Sequence, residues 1–318
     1  MNILTIGAGA YGLALSTILS DKNDVTVYSS IKEEIEELKK TYKNEKLFPN
    51  IELPKTIKFT NKIEKKYDLI ILALPTNIIK EELEKLKEKI NNIPIIITSK
   101  GMNDNKFSYE IVKEILDSED IFILSGPSFA IDTIKKQTIS LTVAPKNIPN
   151  IFNEKYIKIE TTEDIQGIEI CGMIKNIYAI GSGILEGLNA SESTKASFLT
   201  KIVSETKNII KKYNGNESTI FLSCGIGDIL LTCTSKNSRN YKLGYIIGNK
   251  SNNKEINDYI NATTIEGLKS LSEFKNRFKY ENIINTIYDV IYNKKNPEDL
   301  IKIILDWKCE KWQWLKIL

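Results

Sequence analysis

Lys175 is the candidate for moving a proton in a chain of 318 residues that contains no histidine, and Lys100 and Asp228 are further candidate site residues. Lys100 follows a predicted strand, Lys175 lies within a long apolar stretch, and Asp228 follows a Gly-Ile-Gly turn. Without an imidazole, general acid–base chemistry must use Lys, Asp, Glu, Tyr or Cys. Burial in an apolar helix lowers a lysine pKa from ~10.4 toward neutrality, which makes Lys175 a candidate general acid. A solvent-facing Lys175 on an amphipathic helix is the alternative that spacing leaves open.

A glycine-rich turn, GAGAYG, follows the first predicted strand and opens a helix, with a second strand close behind. In this context Gly7 permits the tight turn, Gly9 lets the backbone approach a pyrophosphate, and Gly12 lets the helix pack against the strand. The free N–H groups of Ala10 and Tyr11 at the helix start would face the phosphates. The segment predicts a dinucleotide-binding site.

The end of the second predicted strand bears on which dinucleotide binds. It reads Tyr28-Ser29-Ser30, with Lys32 close behind, where an NAD-specific site usually has an Asp or Glu for the ribose hydroxyls. Without that carboxylate a 2′-phosphate is not repelled, and two hydroxyls could bind it. The pattern favours NADP(H) mildly over NAD(H) and leaves both open.

A phosphate-binding group is predicted from arginine usage. Only two of the 44 basic residues are arginines, Arg239 and Arg277. Arg239 is flanked by Ser238 and Asn240, and a guanidinium can bind two phosphate oxygens at once. Arg277 lies in a stretch rich in Lys and Asn, so Arg239 is the better candidate.

The elements that must position these residues change character along the chain. Short apolar runs alternate with amphipathic helical stretches in the first half, whereas helical patterns dominate after about Thr161. We therefore predict a doubly wound α/β domain over residues 1–163 and an all-α substrate domain over residues 164–318. The predicted strands are Asn2–Ile6, Asp24–Tyr28, Asp68–Leu74, Ile95–Thr98, Ile121–Leu124 and Ser140–Val143.

Composition excludes several classes of partner. A net charge of +3 is too small to indicate binding to nucleic acid or to an anionic membrane surface. The first strand begins at the N-terminus, so we expect no signal peptide, and we also expect no apolar run that approaches the ~18 residues of a membrane helix. These features predict a cytoplasmic protein.

The cysteines and the C-terminal tail carry weaker signals. The four cysteines lack any CxxC pair, so we expect buried thiols rather than a zinc site or disulfides: Cys171, Cys224, Cys233 and Cys309. No metal is expected. For the tail with Trp307, Trp312 and Trp314 we favour core packing over contact with a partner chain.

Six motifs taken in order, GAGAYG, SKG, LSGPSFA, GIEICGMIKNIYAIGSG, GIGDILLTCTSKNSRN and TIEG, resemble the bacterial NAD(P)-dependent glycerol-3-phosphate dehydrogenases from residue 1 to about 270. The resemblance implies a Rossmann domain followed by a helical domain of the 6-phosphogluconate-dehydrogenase-like type. It also implies reduction of dihydroxyacetone phosphate to sn-glycerol 3-phosphate for glycerophospholipid synthesis. The hydride would come from NADPH or NADH and the proton from Lys175.

The same resemblance implies roles for individual residues. Lys175 and Asp228 would be catalytic. Substrate contacts would come from Lys100, Gly126, Ser128, Lys175, Asn176, Asp228, Ser238, Arg239 and Asn240. Cofactor contacts would come from Gly7, Gly9, Ala10, Tyr11, Gly12, Ser30, Lys100, Ala130, Arg239, Thr264 and Glu266.

The sequence also departs from the family pattern. Ser30 stands where a bulky or charged residue is frequent, Lys201 stands where an Arg is usual, and the loop over 187–194 differs from the usual Gly/Asn-rich one. The rival interpretations are a related dehydrogenase of a 3-hydroxy acid or of ketopantoate, and a non-catalytic NAD(P)-binding redox regulator. The oligomeric state stays open, with a homodimer as one candidate.

Overall fold

A computed structural model describes residues 1–64, 66–250, 252–278 and 282–305. The chain forms two compact units. Unit 1 comprises Met1–Met173 and Ile210–Ile229, and unit 2 comprises Ile174–Ile209 and the described residues from Leu230 onward. The boundary predicted between residues 163 and 164 stays a prediction.

Unit 1 is built on an eight-stranded sheet. Its strands are β1 Asn2–Ile6, β2 Asp24–Tyr28, β3 Lys58–Thr60, β4 Leu69–Leu72, β5 Ile95–Ile97, β8 Ile121–Ser125, β9 Ile139–Ala144 and β10 Ile157–Thr161. The spatial order is β10-β9-β8-β5-β4-β1-β2-β3. Both neighbours of β1 run parallel to it. The sequence order of the strands reverses at β1, and ligands of open α/β sheets bind at such a switch point. The predicted doubly wound fold is confirmed.

The helices of unit 1 cover the sheet because their apolar residues match its buried faces. They are α1 Ala10–Leu19, α2 Lys32–Thr41, α3 Thr76–Ile90, α4 Ser108–Ile115 and α5 Ala130–Ile134. In α2, Ile35 and Leu38 face the core, while acidic residues occupy the first turn and lysines the last. That charge order complements the helix dipole.

Several strands of unit 1 differ from the sequence prediction. β3 and β10 are edge strands that the hydrophobic pattern missed, since β3 has three residues and β10 is partly exposed. A small hairpin of β6 Met102–Asn103 and β7 Lys106–Phe107 was also missed. β9 pairs antiparallel with β8, although the predicted βαβ pattern implied parallel strands throughout.

Unit 2 is helical in the part of the chain that the structure describes. Its helices are α6 Ile165–Gly187, α7 Glu192–Lys212, α8 Asp228–Thr234, α9 Arg239–Gly248, α10 Asn253–Ala262, α11 Glu266–Arg277, α12 Asn282–Tyr292 and α13 Asp299–Leu305. The first residues of α6 and α8 and the last residues of α7 belong to unit 1.

Helices α6 and α9 approach each other at backbone distance because glycines lie on the facing surfaces of both. A Cβ added at Gly183 would lie 2.0 Å from the Tyr241 carbonyl oxygen, and one at Gly244 would lie 2.0 Å from the Ile180 oxygen. Gly248 makes a similar approach to Ile184. This crossing brings the segment after Lys175 and the start of α9 into one packed body.

Helix α6 contradicts the expectation that the chain has no apolar segment of membrane-spanning length. Among the described residues it is the one helix long and apolar enough to cross a membrane by length and composition. The expectation that no apolar run approaches that length was therefore wrong. The apolar stretch of α6 is fully buried inside the protein, as in the core helix of a soluble protein.

Candidate active site

The glycine turn has the geometry that a dinucleotide requires. Gly7 has a φ of +115°, and a Cβ there would lie 2.4 Å from the Ala73 carbonyl oxygen. A Cβ at Gly12 would lie 2.1 Å from the oxygen of Gly7, so helix and turn are in backbone contact. Gly9 differs from both, because a Cβ there would meet nothing within 4 Å. The turn is thus packed against neighbouring backbone at Gly7 and Gly12 and is unobstructed at Gly9. A pyrophosphate fits beside Gly9 at the start of α1.

At the end of β2, one of the two serine hydroxyls already has hydrogen-bond partners within the protein. The Ser29 hydroxyl donates a hydrogen bond of 2.8 Å to a carboxylate oxygen of Glu34 and accepts one of 3.2 Å from the Ile31 N–H. Ser29 is buried, whereas Ser30 is exposed. One of the two hydroxyls expected to receive a 2′-phosphate is therefore already bound to a carboxylate.

Lys100 and Asp228 form an ion pair in unit 1. The Lys100 ammonium lies 2.6 Å from Oδ2 of Asp228 and also donates a hydrogen bond of 3.3 Å to the Gly126 carbonyl oxygen. The Asp228 side chain is 1% exposed and that of Lys100 is 19% exposed. Asp228, which the family resemblance marks as catalytic, is therefore paired with Lys100, a predicted substrate and cofactor contact.

Tyr11, in the first turn of α1, contacts Ser128. Their hydroxyl oxygens lie 3.0 Å apart, and the Ser128 hydroxyl also donates to the Gly126 carbonyl oxygen. Burial raises the pKa of the Tyr11 phenol, and the nearby Lys100 charge offsets part of that shift. The phenol is therefore a neutral hydrogen-bonding group at neutral pH. Ala130 begins α5, two residues after Ser128.

Lys175 is a buried lysine, as the apolar pattern of α6 predicted. It is 7% exposed, and its ammonium donates a hydrogen bond of 3.1 Å to the Thr232 hydroxyl in α8. The alternative of a solvent-facing lysine is excluded. Thr232 was not predicted as a site residue, because its contact with Lys175 joins positions 57 residues apart. The TCTS motif that contains it was the available signal.

An amide network links the starts of α9 and α11 to α6. The Asn240 amide donates to the Asn176 side-chain oxygen at 3.0 Å, and the Asn176 amide donates to Glu266 at 3.1 Å. The Asn240 oxygen accepts the Gly267 N–H at 2.9 Å. The two asparagines are buried and hydrogen-bonded to each other, so they fix the local backbone as well as offering polar atoms.

Arg239 lies at the edge of this network. Its guanidinium is 3.8 Å from Glu266, and its side chain is 54% exposed. Ser238 caps α9 by accepting the Tyr241 N–H, and the Tyr259 hydroxyl donates to the Arg239 carbonyl oxygen. The backbone of Arg239 is thus fixed by hydrogen bonding, and its guanidinium is accessible to an anion. Thr264 is exposed, two residues before α11.

The described cysteines are buried thiols, as predicted: Cys171, Cys224 and Cys233 are free. The hydrogen bond with Cys224, together with burial, raises the pKa of the Cys171 thiol well above its usual value. Cys309 and the three tail tryptophans lie outside the described residues. Among the described side chains there is no group of three or more His, Cys, Asp or Glu residues placed to hold a metal ion.

A Rossmann sheet with an open glycine turn, together with a helical unit that holds a buried lysine, defines the class of two-domain NAD(P)-dependent dehydrogenases. Family comparison narrows the class. Residues 2–150 match the N-terminal model of the NAD-dependent glycerol-3-phosphate dehydrogenases, and residues 164–302 match the C-terminal model. The chain belongs to this family.

Individual relatives agree with this assignment. A glycerol-3-phosphate dehydrogenase (NAD(P)+) of Clostridium botulinum is 33% identical, with 94% of this chain and 96% of the relative covered. A protein of the same name from Leptospira biflexa is 31% identical over 96% and 97% of the two chains. The crystal structure of glycerol-3-phosphate dehydrogenase from Coxiella burnetii superposes with a TM-score of 0.87 at 24% identity. It covers 96% of this chain and 99% of its own. That structural likeness supports the fold.

Proposed function

We propose that this protein reduces dihydroxyacetone phosphate to sn-glycerol 3-phosphate with NADH or NADPH, and that Lys175 supplies the proton. Family membership over nearly the whole chain supports the reaction. The observation that carries the residue assignment is the burial of Lys175 on an apolar helix, in a chain without histidine. A buried ammonium is costly unless it is paired or hydrogen-bonded, and lysines buried at such cost are found at sites of proton transfer.

Lys175 acts as the general acid in this proposal. Its ammonium hydrogen-bonds the C2 carbonyl oxygen, polarises the carbonyl and gives that oxygen its proton. The Thr232 hydroxyl, 3.1 Å away, restricts where the ammonium can point. When bound, the reduced nicotinamide supplies the hydride that C2 requires.

The remaining residues orient the substrate and balance charge. Asp228, through its pair with Lys100, keeps that ammonium in place beside the Gly126 carbonyl. Arg239 binds the phosphate with a bidentate fork, an orientation that a point charge provides less well. Substrate contacts are further assigned to Gly126, Ser128, Asn176, Ser238 and Asn240.

We assign the binding of the cofactor to the glycine turn and to residues from both halves of the sequence. Gly9, Ala10 and Tyr11 receive the pyrophosphate between the structural glycines Gly7 and Gly12. Contacts are further assigned to Ser30, Lys100, Ala130, Arg239, Thr264 and Glu266. We also propose that the protein is a soluble cytoplasmic enzyme without membrane insertion, works as a homodimer, and supplies glycerophospholipid synthesis.

The proposal is tested by replacing two lysines that are equally buried. Lys175 and Lys201 are each 7% exposed, and Lys201 donates to the Ile303 carbonyl oxygen. We expect Lys175→Met to lower kcat with dihydroxyacetone phosphate by roughly 10²–10⁴-fold, the usual contribution of a general acid. Lys201→Met should retain kcat per folded molecule. Turnover is measured as loss of nicotinamide absorbance, and near-normal kcat for folded Lys175→Met would overturn the assignment.

A further inference from the structure

A carboxylate lies at the end of β2 although no acidic residue ends that strand. Glu34, in the first turn of α2, accepts a 2.8 Å hydrogen bond from the buried hydroxyl of Ser29, the residue that follows β2. The Ser29 N–H itself donates a hydrogen bond to the carbonyl oxygen of Thr60, the last residue of β3. The serine is therefore fixed by the sheet, and it fixes the carboxylate in turn.

The adenosine ribose of a dinucleotide binds at this end of β2 in Rossmann domains, where an acidic side chain accepts the hydrogen bonds of its hydroxyls. We propose that Glu34, oriented by Ser29, performs this role and makes the enzyme select NADH over NADPH. This inference rests on the proposed use of a nicotinamide cofactor. It reverses the mild preference for NADPH predicted from Ser29 and Ser30.

Charge decides between the two cofactors. A 2′-phosphate would place a second anion beside the Glu34 carboxylate, and such like-charge contacts disfavour the wrong ligand strongly. Lys32 and Ser30 would favour the phosphate, but both are exposed, and a solvated lysine contributes little. The first turn of α2 stabilises the negative charge of Glu34 through the helix dipole.

An apolar side chain beside this site fits the adenine. Ile31 follows Ser30 directly, immediately precedes α2 and is 58% exposed. Its backbone N–H is held by the Ser29 hydroxyl. Ser29, Ile31 and Glu34 thus form one hydrogen-bonded unit with a carboxylate for the ribose and an apolar surface for the base.

The test is to measure dissociation constants of NADH and NADPH by fluorescence titration without substrate. We expect wild-type protein to bind NADH about tenfold or more tightly than NADPH. Glu34→Gln should tighten NADPH binding and move the ratio roughly tenfold toward NADPH. Ser29→Ala should weaken NADH binding. Glu33→Gln is the matched control, because Glu33 lies in the same helical turn and is exposed. It should leave the ratio unchanged.

The outcomes separate this inference from the proposed function. Equal or tighter binding of NADPH by the wild type overturns it, as does an equal shift in Glu33→Gln. A Glu34 that only caps α2 would change the melting temperature in Glu34→Gln and leave the ratio of affinities in place, which also overturns it. Turnover of dihydroxyacetone phosphate without cofactor preference removes this inference alone. Failure to bind either cofactor removes both.

Discussion

The Lys100–Asp228 pair shows how burial changes what an ion pair contributes. Lys85 and Glu81 are also 2.6 Å apart, but their side chains are 55% and 71% exposed, whereas Asp228 is 1% exposed. Removing one partner of a buried pair leaves an uncompensated charge, while a solvated pair contributes at most about 1 kcal/mol.

We therefore expect Asp228→Asn to lower the free energy of unfolding by about 2 kcal/mol or more. The expected change is smaller than that for a fully buried pair, because the Lys100 side chain is 19% exposed. The control Glu81→Gln should change it by less than about 1 kcal/mol. Urea unfolding of the two variants checks this, and equal effects would show that the buried pair has no special weight.

At the residue scale, the sequence indicated the burial of a candidate site residue better than the contacts that such residues make. The burial of Lys175 followed from the apolar residues around it in one helix. Its contact with Thr232 and the contact of Lys100 with Asp228 join positions 57 and 128 residues apart, so no local pattern could indicate them. The Ser29–Glu34 bond spans only five residues, yet it depends on the angle at which α2 leaves β2.

The element that carries the cofactor prediction is the glycine turn, where Gly9 and Gly12 have opposite surroundings. The Cβ of Gly9→Ala would meet open space, so the substitution should leave the melting temperature nearly unchanged and weaken NADH binding. The Cβ of Gly12→Ala would lie 2.1 Å from the Gly7 oxygen, so the fold must shift. We expect Gly12→Ala to lose both stability and binding.

The measurements are a thermal melt without cofactor and a fluorescence titration with NADH. The same loss of melting temperature in both variants would contradict the open surroundings of Gly9. Unchanged NADH affinity in Gly9→Ala would contradict the placement of the pyrophosphate.

Element prediction succeeded where the hydrophobic pattern had a strong period and failed at the sheet edges. β1 and β2 were predicted with their observed bounds, and β4 is buried along its whole length, as a continuous apolar run implies. β3 and β10 are edge strands with exposed residues, so their patterns are weak. The antiparallel direction of β9 depends on how the chain returns to the sheet, which composition does not encode.

At the scale of the whole molecule, the family assignment rests on both halves of the sequence. The two family models together match residues 2–150 and 164–302, so the dinucleotide-binding half and the helical half identify the same family. A glycine turn alone would define only a dinucleotide site. The prediction of the substrate depends on the helical half. Lys175 was predicted there because it lies in an apolar helix, and Arg239 because arginine is rare in this chain.

The most direct test of the central claim is to compare substrates with the intact wild-type protein. Loss of nicotinamide absorbance is followed with dihydroxyacetone phosphate and with ketopantoate, using NADH and NADPH in parallel, and the product is identified. We predict turnover of dihydroxyacetone phosphate with formation of sn-glycerol 3-phosphate in equal amount to the cofactor oxidised, and negligible turnover of ketopantoate. Turnover of ketopantoate with none of dihydroxyacetone phosphate, or cofactor binding without turnover of either, would contradict the account.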